Sequence, residues 1–390
     1  MKLLALGFVV LLSPFFGAYV AHAQSAAFEY SGWIPYWREE EGVADTLKNL
    51  DKLHEVNPFG YIVQKDGVVH DAMGIADAPW KGLIAEAKKR KIRVIPTVMW
   101  SDAEAMHRIM GDKTTRTALV DNIVSIVKTE GFSGIDIDFE GKYAETKDHY
   151  SAFLKELYTK MGNKWVMCTI EPRTPLSARY DSTPPKDAGI YANDFVAFNK
   201  YCDRVRIMTY DQGTIDVKLN AAAKSVPYIP IADPRWVEKV VNETAKSISK
   251  NKIVVGVATY GYEYEVTPLT LSGYRYARQW SFNPTYASEI MQKYGLRAQR
   301  GLSGEMTVSY MPALKPSAPT SNTLPNPEPH SSLAAPAAVA AATLPINLLV
   351  WSDATAVKQK IDLAKKLGVR GVAIFKLDGG QDPGVWGILK

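Results

Sequence analysis

Three acidic residues alternate with three large apolar residues in the segment GFSGIDIDFEG, which runs from Gly131 to Gly141. Because side chains of a β-strand point alternately to its two faces, the three acids share one face: Asp136, Asp138 and Glu140. The apolar residues share the other face, as in a strand that packs against helices. Neighbouring buried carboxylates share protons, which raises the pKa of one of them. The pattern therefore predicts a carboxylic acid suited to general acid catalysis.

The alternative interpretation of the three acids is a structural ion-pair network, which also perturbs pKa values. No Arg or Lys lies on the same predicted strand to neutralise the carboxylates. A surface network would also not require the strict alternation with Ile and Phe. We therefore favour the catalytic interpretation.

Short β-branched or aromatic runs alternate along the chain with longer amphipathic stretches, which predicts strands with helices between them. The predicted strands are Tyr30–Tyr36, Phe59–Val63, Ile92–Val98, Gly134–Asp138, Trp165–Ile170, Arg204–Thr209, Lys252–Val257 and Gly371–Lys376. The predicted helices include Ala78–Arg90, Thr115–Glu130, Lys147–Met161, Pro234–Ser249 and Ala354–Leu367. This order favours an α/β fold, a (β/α)8 TIM barrel with catalytic residues at the C-terminal strand ends. A doubly wound open sheet competes, but no Gly-rich phosphate loop follows the first strand.

The strand–helix rhythm stops between the seventh and eighth predicted strands. We expect residues 263–350 to form a small α+β insertion. Its predicted elements are Tyr274–Trp280, Glu289–Tyr294 and Glu305–Tyr310. Residues 312–345 are rich in Pro, Ala and Ser with almost no large apolar side chain, so we expect this segment to be disordered. We expect Glu305–Tyr310 and Ile346–Val350 to pair as an antiparallel hairpin around it.

The first 23 residues have the pattern of a secretory signal peptide. Lys2 precedes an apolar run from Leu3 to Val20, and Ala21-His22-Ala23 supplies small residues before a cleavage point. The run is almost long enough to span a bilayer, so an uncleaved membrane anchor is the alternative. We expect cleavage, which leaves a catalytic domain over residues 28–390 with no membrane span. The mature protein would be extracellular, periplasmic or bound to the cell wall.

The composition argues against several classes of function. The formal net charge is only +5 and no basic cluster with interleaved aromatics occurs, so we do not expect nucleic-acid binding. The six histidines lack metal-ligand spacing, and we expect neither a metal nor an organic cofactor. Cys168 and Cys202 could form a disulfide after export, but two buried thiols are the commoner arrangement and our expectation. We expect a monomer.

Several segments, in this order, resemble glycoside hydrolase family 18, the chitinase family. SGIDIDFE is similar to the family's Asp-x-x-Asp-x-Asp-x-Glu signature, with Ser133 in place of the first Asp. RIMTYDQG, at residues 206–213, is similar to its Met-x-Tyr-Asp motif. PRWVEKVV with KIVVGVATYGYEY, and later VWSDATAVKQKIDLAKKLGVRGVAIFKLDGGQDPGVW, resemble its last helices and strands. The resemblance spans Glu29 to Trp386. With GWIPYW at the first strand, it is greatest to the bacterial spore-germination and cell-wall branch.

The resemblance implies a retaining mechanism in which the substrate's own 2-acetamido group is the nucleophile. Glu140 would protonate the glycosidic oxygen, Asp138 would orient the acetamido N–H, and Asp136 would share a proton with Asp138. Tyr210 would donate a hydrogen bond to the acetamido oxygen, and Asp211 would contact the sugar or the acid. The implied substrate is a polymer that contains N-acetylglucosamine, either chitin or peptidoglycan.

Further candidates for sugar binding fall at predicted strand ends. Phe375 stands where the family usually has a Trp beneath the bound sugar, and it offers a smaller π-face. Glu171 and Arg173 follow the fifth strand, where they would face the cleft or pair with each other. The aromatic candidates, which could stack on sugars or only pack in the core or rim, are Tyr36, Trp37, Trp100 and Tyr262.

We interpret the chain as a secreted glycosidase that acts on N-acetylglucosamine polymers. One alternative is a barrel that binds carbohydrate without cleaving it, but the intact set of Asp138, Glu140 and Tyr210 argues against a mere binder. A second alternative is a structural or partner-binding protein of the cell envelope, with the Pro/Ala-rich segment as its tether.

Overall fold

The computed structural model describes residues 27–224, 226–269, 273–312 and 346–389. In chain order its strands are β1 (Glu29–Pro35), β2 (Glu55–Val63), β3 (Val69–Asp71), β4 (Arg93–Val94), β5 (Thr97–Trp100), β6 (Gly134–Phe139), β7 (Trp165–Ile170), β8 (Arg204–Ile207), β9 (Ile253–Ala258), β10 (Gly261–Pro268), β11 (Tyr274–Phe282), β12 (Gln299–Arg300), β13 (Met306–Tyr310), β14 (Ile346–Trp351) and β15 (Gly371–Phe375). Its α-helices are α1 (Glu39–Lys48), α2 (Trp80–Lys89), α3 (Ala103–Gly111), α4 (Lys113–Thr129), α5 (Lys147–Met161), α6 (Leu176–Arg179), α7 (Phe195–Tyr201), α8 (Val217–Ala223), α9 (Pro234–Thr244), α10 (Pro284–Tyr294), α11 (Ala354–Leu367) and α12 (Val385–Ile388).

Eight strands form a closed barrel in which all neighbours run parallel. Their order around the barrel is β1, β2, β5, β6, β7, β8, β9 and β15, and β15 pairs again with β1. The helices lie outside this barrel, as the periodicity of the sequence predicts. The predicted (β/α)8 TIM barrel is confirmed, and the open-sheet alternative is wrong.

The two faces of β6 have different surroundings. Phe139 points outward, where its ring lies 5.9 Å from that of Tyr150 and 5.4 Å from that of Phe153 on α5. The inward positions of β6 are set by its register with β5, in which Asp136 pairs with Thr97 and Asp138 with Met99. The strand therefore buries its apolar residues against a helix and holds its carboxylates in the barrel interior.

Two barrel strands differ from their predicted bounds by more than two residues or by a break, and five others differ by one or two residues. The third is divided into β4 and β5, because Pro96 lies between them and has no N–H to donate to the ladder. The second begins at Glu55 rather than at Phe59. Glu55 and Asn57 are polar and do not look like strand residues, yet both are buried in the barrel interior. A prediction based on the pattern of hydrophobic residues misses strand positions occupied by buried polar groups.

A second, five-stranded antiparallel sheet lies between β9 and β15 in the chain. Its strand order is β11, β10, β14, β13, β12, and α10 belongs to the same segment. The predicted hairpin is confirmed, because Met306–Tyr310 pairs with residues 347–351 of β14. The predicted disordered segment, apart from Pro312, lies outside the described residues. Strand β10 was not predicted, and it carries tyrosines toward the mouth of the barrel.

The sheet formed by β10–β14 packs on the mouth of the barrel through a shared apolar cluster. This cluster joins Met208, Tyr210 and Ala258 of the barrel to Tyr262 and Val350 of the sheet. Because these groups exclude water on one side of the mouth, the second sheet forms a wall beside the C-terminal ends of β8 and β9.

Cys168 of β7 and Cys202, which precedes β8, are joined by a disulfide. The expectation of two free thiols is wrong, because β7 and β8 are adjacent and bring the two Cα atoms to 6.0 Å. The predicted signal peptide lies outside the described residues. In the described ranges, no helix has the length and apolar character needed to cross a bilayer.

Candidate active site

The structure brings the three predicted acids together at the C-terminal end of β6. Asp136 is fully buried and Asp138 is 5% exposed, both on β6 itself. Glu140 is partly buried and follows the last residue of the strand, at the barrel mouth. The acids thus form a row that runs from the barrel interior to its rim.

Asp136 is anchored by neighbours on three other strands. Its Oδ2 accepts hydrogen bonds from Trp33 Nε1 at 3.0 Å and Thr97 Oγ1 at 2.9 Å, and its Oδ1 accepts from Thr169 Oγ1 at 2.9 Å. The guanidinium of Arg206 lies 2.8 Å from Oδ2. Burial raises the pKa of Asp136 to about 6, although the three donors act to lower it.

An ion-pair network continues below Asp136 along the barrel interior. Arg206 also pairs with Glu55, and Arg93 bridges Glu55 and Glu29 at 3.0 Å from each. The argument that no cation neutralises the acids is therefore wrong for Asp136, because Arg206 reaches it from β8. Burial lowers the pKa of Arg206 to about 9. The innermost acid is part of a structural network, and the two outer acids are not.

Asp138 is the least compensated of the three acids. Its Oδ1 is buried and has no hydrogen-bond partner among the described residues. Burial raises the pKa of Asp138 well above its usual range, and the charges of Glu140 and Asp136 raise it further. Both oxygens of Asp136 accept hydrogen bonds from other residues, and the sharing of a proton between Asp136 and Asp138 stays a prediction.

The backbone of Glu140 is held by a hydrogen bond, whereas its carboxyl group has no hydrogen-bond partner among the described residues. Its N–H donates to the carbonyl oxygen of Trp100 at 2.8 Å. Within the described part of the chain, its carboxyl accepts no hydrogen bond. Burial raises the pKa of Glu140, and the charges of Glu171 and Asp211 act in the same direction against Lys142. A raised pKa keeps the proton that a general acid must donate.

The buried ammonium of Lys142 and the partly exposed carboxylate of Glu171 form a charge pair beside Glu140. Lys142 Nζ lies 3.7 Å from Glu171 Oε2, donates to the carbonyl oxygen of Phe139, and lies 4.9 Å from the centre of the Tyr150 ring. Glu171 Oε1 accepts from the N–H of Gly141 at 2.9 Å. Burial acts to raise the pKa of Glu171, but Lys142 and these hydrogen bonds lower it overall. Glu171 is thus held as an anion next to the candidate acid.

Tyr210 and Phe375 form the aromatic floor of the mouth. Their rings stack at 5.5 Å with an interplanar angle of 18°. Burial raises the pKa of Tyr210 well above its usual range, followed by the charges of Asp138 and Asp211. The hydroxyl therefore remains protonated, and it has no hydrogen-bond partner in the described ranges. It is available as a donor close to Asp138.

Asp211 is held at the rim by two tyrosines, one immediately before β10 and one within it. Its Oδ1 accepts from Tyr260 Oη at 2.6 Å and from Tyr262 Oη at 2.9 Å. Its φ of 57° is in the left-handed region, which a residue other than Gly adopts at a cost. The predicted candidate Tyr262 thus lies at the mouth, where its hydroxyl positions Asp211.

The other aromatic candidates lie in different places. Trp37 is 50% exposed and sits edge-on to Phe59 at 5.8 Å, next to the partly buried Tyr36. Trp100, by contrast, is 3% exposed and packs edge-on against Phe139 at 5.3 Å. Its register with Phe139 turns it to the outer face of the barrel, which favours core packing, the second of the two interpretations given for Trp100.

Several residues of the site were missed from the sequence: Trp33, Thr97, Thr169, Arg206, Lys142, Asn193 and Tyr260. Most of them hold an acid in place rather than resemble a catalytic motif. The inward position of Trp33 could have been found from the alternation in GWIPYW, and Arg206 lies within the Met-x-Tyr-Asp segment. Among the described residues, no group of three or more His, Cys, Asp or Glu is arranged to hold a metal.

A parallel barrel with a row of carboxyl groups and an aromatic floor at its C-terminal mouth is typical of glycoside hydrolases. The model of the glycosyl hydrolases family 18 matches residues 33–380. The chain belongs to this family of glycoside hydrolases.

Related proteins share about a quarter of their residues with this chain. The uncharacterized glycosylase YvbX of Bacillus subtilis is 25% identical over 324 residues, which cover 81% of this chain and 79% of the relative. The cortical fragment-lytic enzyme of Bacillus subtilis is 26% identical over 196 residues, covering 49% of this chain and 41% of that enzyme.

Solved structures share the fold at still lower identity. The Bacillus cereus spore cortex-lytic enzyme SleL has a TM-score of 0.68 at 18% identity, covering 94% of this chain and 74% of that one. A chitinase from Chromobacterium violaceum has a TM-score of 0.68 at 17% identity, covering 93% and 98%.

Proposed function

We propose that this glycoside hydrolase is exported and cleaves β-linked N-acetylglucosamine polymers with retention of configuration. Glu140 is the general acid, and the substrate's acetamido oxygen is the nucleophile. The names of the relatives include both a cortical fragment-lytic enzyme and a chitinase, which supports this class of polymer. Export is supported by the N-terminal pattern of the sequence.

The observation that carries the proposal is a set of three polar groups without partners around one mouth. These are the buried Oδ1 of Asp138, the carboxyl of Glu140 and the hydroxyl of Tyr210, among the described residues. A buried polar atom without a partner is costly, so it is expected to receive one when a ligand binds. A 2-acetamido group supplies the matching donor for Asp138 and the matching acceptor for Tyr210.

The proposed reaction has two steps. Glu140 donates its proton to the glycosidic oxygen, and the acetamido oxygen attacks the anomeric carbon as the bond to the leaving sugar breaks. Asp138 accepts the acetamido N–H and stabilises the positive charge of the cyclic oxazolinium ion. Glu140, now a carboxylate, then takes a proton from water, which attacks the same carbon and reopens the ring.

The ion-pair network supports a proposed distribution of protons within the acid row. Arg206 and three donors surround Asp136, which favours its anionic form. In the free enzyme the raised pKa of Asp138 then favours a proton on Asp138. This proton passes to the neighbouring Asp136 when the substrate binds, so that Asp138 meets the acetamido N–H as a carboxylate. Activity should fall as the pH rises through the raised pKa of Glu140, because the acid loses its proton.

The test is hydrolysis of chitin oligomers and of purified peptidoglycan by the wild-type protein, with products identified by mass spectrometry. Glu140→Gln should lower kcat by about a thousandfold or more while oligomer binding remains, because the acid acts in the transition state. Asp138→Asn should also be severely impaired. Glu145→Gln changes an exposed acid nearby and serves as the control. Binding of either polymer by the wild-type protein without cleavage would replace the proposal by a carbohydrate-binding barrel.

A further inference from the structure

A side groove opens next to Glu140 and is not used by the mechanism above. The groove is lined by Glu171, Arg173, Tyr191, Asn193 and Phe195, and its inner part has a volume of about 250 Å³. It continues past Arg173 into an outer part of about 350 Å³ that reaches Lys147. The hydrogen bond from the N–H of Gly141 to Glu171 joins the groove to the residue that follows the acid.

The guanidinium of Arg173 is held flat between two aromatic rings. Its central carbon lies 3.8 Å from the ring centre of Tyr191 and 3.8 Å from that of Phe195. Both faces of the group are covered, so its N–H donors can act only in the plane of the guanidinium. One of the terminal nitrogens donates to the carbonyl oxygen of Asn193 at 2.9 Å.

Arg173 has no carboxylate partner among the described residues. The pair with Glu171, one of the two arrangements considered, does not form, because Glu171 is engaged by Lys142, the N–H of Gly141 and the side chain of Asn193. Asn193 in turn has a buried side-chain oxygen without a hydrogen-bond partner in the described ranges. The groove therefore offers in-plane cationic donors and, beside them, an unused acceptor for an N–H.

We propose that the side groove binds a carboxylate carried by the polymer, so that Arg173 directs the enzyme toward peptidoglycan rather than chitin. This proposal rests on the glycosidase function proposed above. A guanidinium pairs with a carboxylate through two parallel N–H···O bonds, and aromatic walls that exclude water strengthen the contact. Chitin carries no carboxylate. Peptidoglycan carries carboxylates on its stem peptides, whose amide N–H groups also suit Asn193. Where the peptide has been removed, the lactyl group of muramic acid ends in a free carboxylate instead.

The experiment compares kcat/KM on three substrates: chitin oligomers, glycan strands stripped of peptide, and strands with intact stem peptides. Arg173→Met should reduce the ratio of kcat/KM on carboxylate-bearing strands to that on chitin oligomers by tenfold or more. Arg173→Lys keeps the charge but not the planar fork, so its ratio should fall less. Arg179→Met removes a cation that lies on the same segment outside the groove lining, and it should leave the ratio unchanged.

The substrates also distinguish the two sources of the carboxylate. A loss confined to peptide-free strands identifies the lactyl carboxylate, which is free only there, and a loss confined to peptide-bearing strands identifies the stem peptide. An equal loss on all three substrates would reveal a structural role for Arg173 and overturn the proposal, as would no change in the ratio.

If the wild-type protein cleaves none of these substrates, the glycosidase proposal fails but the groove is still tested. Binding to the Glu140→Gln protein is then measured by calorimetric titration. The two ligands are a muramic-acid-containing disaccharide and the N-acetylglucosamine dimer. Adding Arg173→Met should weaken binding of the first by about tenfold relative to the second. Equal affinities for both sugars before and after that substitution would overturn the proposal.

Discussion

Replacing Arg206 by Met should destabilise the protein in a pH-dependent way. At 2.8 Å from Asp136 Oδ2, the guanidinium attracts that carboxylate by about 6 kcal/mol for an effective dielectric constant of about 20. Part of this attraction offsets the cost of burying Arg206, so breaking the pair should cost about 3–5 kcal/mol. The variant leaves Asp136 buried with only neutral donors, and it leaves Glu55 with Arg93 as its remaining cation.

The sign of the pH effect follows from the pKa of Asp136. In the wild-type protein this pKa is already raised to about 6, and loss of Arg206 raises it further. A folded state that binds its proton more tightly than the unfolded state is stabilised as the pH falls. The deficit in the free energy of unfolding, measured by urea with tryptophan fluorescence, should therefore be smaller at pH 5 than at pH 8.

The matched control for Arg206→Met is Arg90→Met, which breaks an ion pair of 2.7 Å at the surface and should have little effect. If Arg206→Met lowers the free energy of unfolding equally at pH 5 and pH 8, the lost side chain contributes through packing alone. Such a result would refute the assignment of Asp136 as a compensated anion.

Two further predictions concern the acid and the insertion. Glu171→Gln removes an anion that raises the pKa of Glu140, so the alkaline limb of the kcat profile should move to lower pH by about one unit, while Glu145→Gln should leave it in place. An unmoved limb in Glu171→Gln would show that Glu140 is not the titrating acid. Replacing residues 313–344 by a short Gly-Ser turn should leave melting temperature and activity near wild type, since a loop costs only about 0.6 kcal/mol per doubling of length. A large loss of either would mean that the segment is packed or functional.

The acid row could be predicted from the sequence because its information is local. Alternation along β6 alone separates the inward Asp136 and Asp138 from the outward Phe139. The bounds of Lys147–Met161 and Ala354–Leu367 were also predicted correctly, since each helix has a continuous apolar stripe. The periodicity of apolar residues is sufficient to predict a feature that depends on a single strand or a single helix.

The partners of the acids could not be predicted, because they depend on which strands become neighbours. Arg206 and Thr169 reach Asp136 only after the barrel closes and its register is set. The outward turn of Trp100 is likewise a matter of register with β6. The disulfide depends on the adjacency of β7 and β8, which no local pattern reveals.

The most direct test of the account is proton NMR of the first product formed from a β-linked N-acetylglucosamine oligomer. Attack by the acetamido oxygen followed by attack by water inverts the anomeric carbon twice, so the first-formed product should be the β-anomer. Oligomers with a hydroxyl or free amine in place of the 2-acetamido group at the cleaved sugar should be essentially inert. An α-anomer as the first product, or rapid cleavage of cellulose oligomers, would contradict the roles given to Asp138 and Tyr210.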